Sequence, residues 1–523
     1  MKREGETGKG WEPELEELKE RKALAARMGG PEKVARHKRL GKLTVRERID
    51  ALVDRGSFHE LGSIAGKASY DDRGRISSFT PANLVMGRAR LSGRTVAVAG
   101  DDFTVRGGAN DAAIREKLVL VEQMAYDLRI PIVRLVDGTG GGGSVKNIEI
   151  EGRTLLPSMP FWQLCVDNLS QVPVVALALG SVAGLGAARV AASHYSVIVR
   201  DTAQMFVAGP PVVARVGQVL GKNELGGSDI HTRNGAIDDE AESEPEAFAM
   251  ARRFLSYLPN SVHELAQRTA PSDDPKRRVD WLIDAIPRDA RKVYKMRPIV
   301  EALVDEGSFF EIGRRWGRPV ITGLARLDGW PVALMASDPY HYGGAWTADA
   351  CDKVIRFCDL AQTFHLPVVH LVDVPGFLIG REAELAGTIR HGARAMQAVY
   401  QASVPWCTIL VRKVYGVAGA AHMNPARYCM RYAWPSGDWG SLPIAGGLEA
   451  AYKSEIEAAP DPAAKLAEIE ARLNKLRSPF RSAESFIIEE IIDPRETRSI
   501  LTEFAELAAP LRTVGPPSFG FRP

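Results

Sequence analysis

The chain has 523 residues, 45% apolar and 25% charged, with a formal net charge of +2. That length exceeds one ordinary hydrophobic core and predicts two or more domains, and the balanced charge argues against nucleic acid or a membrane surface as a partner. Five cysteines, Cys165, Cys351, Cys358, Cys407 and Cys429, form no C-x-x-C pair, which excludes a zinc ribbon and fits a reducing compartment.

The first residues, "MKREGETGKGWEPELEELKERK", are charged and lack the apolar core of a signal peptide, and no apolar run reaches the roughly 20 residues that span a bilayer. The expectation is a cytoplasmic protein. The first fifty residues read as charged helices packed on the outside. The segment 111–129 repeats apolar residues at helical spacing through Ile114, Leu118, Val121, Met124, Ala125 and Leu128, which predicts an amphipathic helix. "IPIVRLVDG" (130–138) and "VPVVALALG" (172–180) read as buried strands entered through proline and left through glycine. Strands alternating with helices predict an α/β fold.

Three glycine-rich turns follow predicted strands. "DGTGGGGSV" (137–145) fits G-x-G-x-x-G, but no acid closes a following strand and no G-K-[ST] occurs, which excludes a dinucleotide fingerprint and a Walker loop. It is either a flexible loop or a place where backbone approaches a ligand. "GSVAGLGAARVAAS" (180–193) enters an alanine-rich helix. Its small residues serve close helix–strand contact, or its open amides serve an oxyanion. "YGVAGAAHM" (415–423) stands at the matching place in the second half. Side-chain chemistry is thin: His194 and His422 have no nucleophile beside them, and neither G-x-S-x-G nor H-E-x-x-H occurs. Asp137 and Asp373 close equivalent strands and read as turn-capping carboxylates. An enzyme with this inventory works through backbone dipoles and a bound cofactor.

The halves are related. "ALVDRGSFHELG" (51–62) and "ALVDEGSFFEIG" (302–313) share nine of twelve residues at an offset of 251. "GRARLSGRTVAV" and "GLARLDGWPVAL", Gly107-Gly108 and Gly343-Gly344, and "LRIPIVRLVDG" and "FHLPVVHLVDV" pair at an offset of 236. The strands before the second and third turns pair loosely, both ending in V-A-G. This is one internal duplication, with a period too long for a solenoid. It predicts domains at 1–265 and 296–523, joined by a linker at 266–295 rich in proline and charge.

Long ordered motifs, among them "GKLTVRERIDALVDRGSFHELG", "DDFTVRGG", "ELGGSDIHTRNGAID", "DVPGFLIG", "IRHGA" and "IIDPRETR", give the chain a resemblance to the carboxyltransferase (β) subunits of biotin-dependent acyl-CoA carboxylases, the propionyl-CoA carboxylase type. The resemblance covers almost the whole chain. It implies two tandem crotonase-like domains of the ClpP/crotonase superfamily, each a ββα spiral. It also implies transfer of a carboxyl group from carboxybiotin, tethered to a separate carrier protein, to the α carbon of an acyl-CoA through its enolate. By position, the amides of Gly184 and Leu185 would hold the enolate oxygen, and those of Val417 and Ala418 the biotin oxygen. Gly140, Gly141, Ala183, Gly186 and Ala420 would line the acyl-CoA side. Gly343, Gly344, Pro375, Gly376 and Phe377 would line the biotin side. The implied partners are a biotin carboxylase and a biotin carboxyl carrier subunit. The implied assembly is a homo-hexamer that joins the first domain of one chain to the second domain of another, and no metal is expected in this chain.

The turns depart from the family pattern. Thr139-Gly140-Gly141-Gly142-Gly143 replaces S-G-G-A-R, Ala183-Gly184-Leu185-Gly186 replaces A-G-G-A, and Ala420 occupies the selectivity position. Tyr340, Tyr342 and Trp346 either line a reshaped pocket or fill a core. Rival readings are a biotin-dependent decarboxylase or transcarboxylase subunit, a biotin-independent crotonase-type hydratase or isomerase, and a non-catalytic scaffold. The hydratase needs paired glutamates that the second turn lacks, and the two intact amide turns argue against a scaffold.

Overall fold

A computed structural model describes residues 10–523 except 110–111, 139–147, 150–151, 155, 157 and 160, and gives no side chains for 445, 446, 449 and 450. The chain divides into two compact units. Unit 1 comprises residues 1–231 with 240–252 and 523, and unit 2 comprises 232–239 with 253–522. The units part ahead of the segment 266–295 read as a linker. The reason is hydrophobic: Val279, Leu282 and Tyr294 are buried members of the second core, so this stretch folds with unit 2.

Unit 1 contains strands β1 (His59–Leu61), β2 (Gly66–Tyr70), β3 (Ile76–Pro81), β4 (Leu84–Leu91), β5 (Arg94–Asp101), β6 (Ile132–Val136), β7 (Val174–Ala178), β8 (Ser181–Ala183), β9 (Tyr195–Val199) and β10 (Gln204–Phe206). With β11 (Asp239–Ala241), the main sheet runs β1-β4-β5-β6-β7-β9-β11, while β2 pairs β3 and β8 pairs β10 separately. Unit 2 contains β12 (Phe310–Ile312), β13 (Val320–Leu327), β14 (Trp330–Ser337), β15 (Val368–Val374), β16 (Trp406–Tyr415), β17 (Met430–Ala433), β18 (Asp438–Gly440) and β19 (Glu490–Ile491). Its sheet runs β12-β13-β14-β15-β16-β17-β19, with β18 on β16. Each unit opens with an antiparallel pair, β4/β5 or β13/β14, and continues in parallel through β6, β7 and β9 or through β15, β16, β17 and β19. Parallel strands need crossovers and both faces covered. Accordingly β6, β7 and β15 are buried along their whole length.

The duplicated twelve-residue segment anchors that antiparallel pair. Asp54 accepts from the Ser92 and Gly93 amides at 2.9 and 2.8 Å, and Asp305 accepts from Asp328 and Gly329 at 3.0 and 2.8 Å. Ser57 accepts from the Arg90 amide at 3.0 Å, and Ser308 from Arg326 at 3.1 Å. Each two-residue hairpin turn has positive φ at both positions, the geometry that fits the twist of the strands it joins. The carboxylate satisfies turn amides that the ladder leaves open. Between these landmarks the offset falls from 251 to 236, and the β2–β3 hairpin occupies the extra residues in unit 1.

Candidate active site

In unit 1 the chain leaves β8 at Ala183, turns at Gly184 and enters α1 (Leu185–Ala191). Gly184 has φ 56° and ψ −117°, a combination that only glycine adopts without strain. A Cβ there would meet no atom within 4 Å, so conformation fixes this glycine and crowding does not. Its amide donates to the Phe206 carbonyl at 3.1 Å. The amides of Leu185 and Gly186 follow in the first turn of the helix, where no carbonyl lies one turn behind them. Gly186 is small for a different reason: a Cβ would lie 2.9 Å from Val182 Cγ1 and 3.4 Å from the Gly138 carbonyl. The Ala183 amide donates to that same Gly138 carbonyl at 3.3 Å.

In unit 2, β16 ends at Tyr415 and α2 (Gly416–Ala420) begins. Strand pairing fixes the equivalence: β10 places Phe206 beside Ala183, and β18 places Gly440 beside Tyr415. Gly184 therefore corresponds to Gly416, whose φ is 60°. The V-A-G to V-A-G match sets Gly184 against Gly419 and is out of register by three residues. Gly419 has a packing role instead, since its Cβ would lie 2.8 Å from the Val414 carbonyl carbon. The structural partners of Val417 and Ala418 are Leu185 and Gly186. Val417 is half exposed and Ala418 is buried, while Ala420 is exposed at the end of α2.

Buried charge supports each turn from below. The Asp137 carboxylate accepts from Arg48 at 2.9 Å, with Lys42 Nζ at 3.7 Å, and Arg48 also binds Glu244 and the Leu179 carbonyl. A Cβ on Gly180 would collide with Asp137 Oδ1 at 1.8 Å, which explains the glycine that opens the turn. Asp373 accepts from the Tyr294 hydroxyl at 2.9 Å, from Arg412 at 2.9 Å and from the Lys413 amide at 3.0 Å. These aspartates, read as turn caps, are buried ion-pair partners that hold the strand ends. His194 is buried between the Val174 amide and the Leu169 carbonyl, both at 3.0 Å, which fixes it as a neutral structural imidazole.

The remaining expected positions fall as follows. Gly140 and Gly141 lie outside the described residues. Gly343 and Gly344 have φ 63° and 87° and repeat the turn at Gly107 and Gly108 (66° and 67°). A Cβ on Gly344 would lie 2.4 Å from the Asp373 carbonyl, so this glycine lets its turn seat on the end of β15. Pro375, Gly376 and Phe377 form the loop after that strand. The Gly376 carbonyl accepts from the Trp346 amide at 3.0 Å, and Phe377 packs against Trp346 and Gly392. Of the three aromatics, Trp346 is core and 1% exposed, whereas Tyr340 and Tyr342 are 53% and 66% exposed. Sequence reasoning missed the register of the second turn. It also missed the triple arginine of "RRWGR" (314–318), visible only against "SIAGK" (63–67) in the duplicate. Among the described residues no three His, Cys, Asp or Glu side chains converge on a metal position, and no helix is long and apolar enough to cross a membrane.

The sequence model of the carboxyl transferase domain matches residues 36–514. The chain belongs to the carboxyl transferase family. It is 32% identical to the propionyl-CoA carboxylase carboxyltransferase subunit of Haloferax mediterranei, over 94% of this chain and 95% of that protein. It is also 32% identical to the methylmalonyl-CoA carboxyltransferase 12S subunit of Propionibacterium freudenreichii subsp. shermanii, over 97% of this chain and 96% of that one. A transcarboxylase 12S crystal structure, described as a hexamer with methylmalonyl-CoA and methylmalonic acid bound, aligns with a TM-score of 0.87 at 30% identity and covers all of both chains. The two units are thus the crotonase-like domains of a carboxyl transferase, and the chain is an enzyme of that family.

Proposed function

We propose that this carboxyl transferase moves a carboxyl group between carboxybiotin on a carrier subunit and the α carbon of an acyl-CoA, acting in a homo-hexamer supplied by a biotin carboxylase partner. The observation that carries this reading is the pair of register-matched turns, each a positive-φ glycine followed by open helix amides. The reaction develops negative charge on two oxygens, the thioester enolate and the ureido oxygen, and two such turns match that demand. Biotin, when bound, supplies the carboxyl group and a ureido nitrogen that takes up the α proton. The amides of Leu185 and Gly186 orient the thioester oxygen, and those of Val417 and Ala418 orient the ureido oxygen. Gly184 shapes its turn through φ while its own amide holds Phe206. Losing one such donor typically costs roughly 10²–10³ in rate. No side chain is needed as a general base. The biotin side fits the residues present: Gly343 and Gly376 would leave space around any added Cβ, with only the Tyr415 carbonyl at 3.9 Å from that of Gly376. Ala420, exposed beside the turn, is the position we assign to acyl selectivity.

The test is the reverse half-reaction. The purified chain is incubated with methylmalonyl-CoA or malonyl-CoA, with and without free biotin, and loss of the carboxyl group is followed. Biotin-dependent consumption of at least one thioester is expected. Consumption that ignores biotin, or none from either thioester even with a carboxyl carrier protein added, refutes the reading.

A further inference from the structure

Unit 2 contains a cavity of about 800 Å³ lined by Arg233, Arg297, Arg314, Arg315 and Arg318. Its floor is the loop 313–320, and that loop is held rigidly. Lys353, fully buried, donates to the carbonyls of Gly313, Trp316 and Val320 at 2.9, 3.0 and 2.7 Å. Trp316 is buried against Gly235, where a Cβ would lie 2.3 Å from the indole. With the backbone tied down from inside, Arg314 and Arg318 extend outward. No carboxylate lies within ion-pair range of Arg318 among the described residues, and Arg314 reaches only Glu311 at 3.9 Å. Arg297 is neutralised by Glu311 and Asp338. Burial holds the His341 imidazole below its ordinary value despite Asp338 beside it, so His341 adds little charge near neutrality. Among the described residues the one carboxylate in the lining is Asp349, which accepts from the Thr347 hydroxyl and, at 3.3 Å, from the Gly317 amide.

The duplicate serves as an internal control. At the equivalent place in unit 1 the framework ion pair persists, Arg46 with Glu60 at 2.8 Å, but Ser63, Ile64 and Lys67 stand where Arg314, Arg315 and Arg318 do. The space there shrinks to about 10 Å³, with Ala25 and Met28 in its lining. The fold does not require the arginines or the opening. In unit 2 both occur together, beside two exposed tyrosines, Tyr340 and Tyr342. Guanidinium groups match phosphoryl oxygens in geometry as well as charge, and exposed aromatic faces and guanidinium planes stack flat bases.

We propose that this cavity binds the phosphoryl groups of a nucleotide, presented either by a free nucleotide or by the nucleotide end of CoA, with the arginines on the phosphates and the tyrosines against the base. Binding is read directly, so the site stands or falls independently of the carboxyl-transfer reading.

The experiment titrates inorganic pyrophosphate, ADP and CoA into the full oligomeric protein at low salt by calorimetry. The same titrations are run on Arg314→Glu/Arg318→Glu, on the milder Arg318→Gln, and on Arg73→Glu as a charge reversal on the unit 1 hairpin. Saturable binding is expected, tighter for ADP than for pyrophosphate. It should weaken about tenfold or more in the double variant, by about threefold in Arg318→Gln, and not at all in Arg73→Glu. CoA binding lost with the other two assigns the nucleotide end of CoA to the cavity. CoA binding that survives while ADP binding is lost assigns a free nucleotide. No saturable binding of any probe at millimolar concentration, or equal binding by wild type and a folded Arg318→Gln protein, overturns the proposal.

Discussion

Arg134 in β6 lies wholly buried against Glu122 in a two-bond ion pair at 2.8 Å, whereas the equivalent residue of β15 is His370, a buried imidazole bonded to the His422 carbonyl at 3.2 Å and edge-on to Trp406. The aspartate and serine that tie down each hairpin, and the positive-φ glycine that opens each amide turn, are the same in both units. Duplication has therefore kept the residues that fix backbone geometry and let the buried polar chemistry beneath it diverge. Interior ion pairs can be replaced wholesale when their partners change together. A positive-φ glycine or a turn-capping aspartate has no such freedom, because what it serves is the backbone itself.

The largest effect should come from the positions where the two turns are most alike. Proline is tolerated in the first turn of a helix, where the missing amide has no intrahelical acceptor. Leu185→Pro and Val417→Pro should each lower single-turnover carboxyl transfer by about 10²–10³, with melting temperatures within a few degrees of wild type. A folded variant that transfers at the wild-type rate would remove that turn from the chemistry.

The buried lysines sharpen the comparison in another way. Burial pushes both Lys117 and Lys353 down to about 8, but among the described residues Lys117 donates to one carbonyl, Gly62 at 3.1 Å, and Lys353 to three. Lys353→Met should destabilise by about 3 kcal/mol and Lys117→Met by about 1 kcal/mol, read from urea midpoints. Equal losses would mean that the rigid loop under the arginine cavity does not depend on Lys353.

Acid should act on His370 before it acts on the Arg134–Glu122 pair. Burial holds His370 down to about 3, against about 6.5 in an unfolded chain. Between those values the unfolded state holds a proton that the folded state lacks, so each pH unit below about 6.5 removes about 1.4 kcal/mol, or about 2 kcal/mol by pH 5. In unit 1, burial raises the Glu122 carboxyl, but the charge and hydrogen bonds of Arg134, with Arg189 and the Asn168 amide, together outweigh it, so the group stays below its ordinary value. Its stabilisation is present above the unfolded value and is lost only at lower pH. His370→Gln should flatten the slope of stability between pH 7 and 5. An unchanged slope would place the acid response elsewhere.

The smallest effect concerns the turn glycines. Gly184→Ala meets no atom within 4 Å and Gly416→Ala meets the Ser441 carbonyl at 3.4 Å. Each should lose about 1–2 kcal/mol from the left-handed backbone alone, measured by thermal melts. A loss much larger at Gly416 than at Gly184 would show that contact, not φ, dominates there.

Much of this protein was written in the order of its residues. The duplication, the α/β rhythm, the buried strands and the two amide turns are local patterns of apolar period, proline and glycine, and such patterns survive without knowledge of distant partners. The family motifs likewise run along the chain. Tertiary structure decided that the Gly184 amide is not among the open ones, because it gives its N–H to Phe206 in β10, beyond α1 and β9 in the chain. It decided the register between the turns, because pairing with β10 and β18 sets it and the repeated V-A-G does not. It gave the 266–295 stretch to unit 2 through its buried Val279, Leu282 and Tyr294. It also turned "RRWGR" from a charged loop into the wall of a cavity, because Lys353, far along the chain, pins the loop from within while the arginines face out. Local sequence sets conformation at each residue, but hydrogen-bond competition and burial are settled only between residues that the fold brings together.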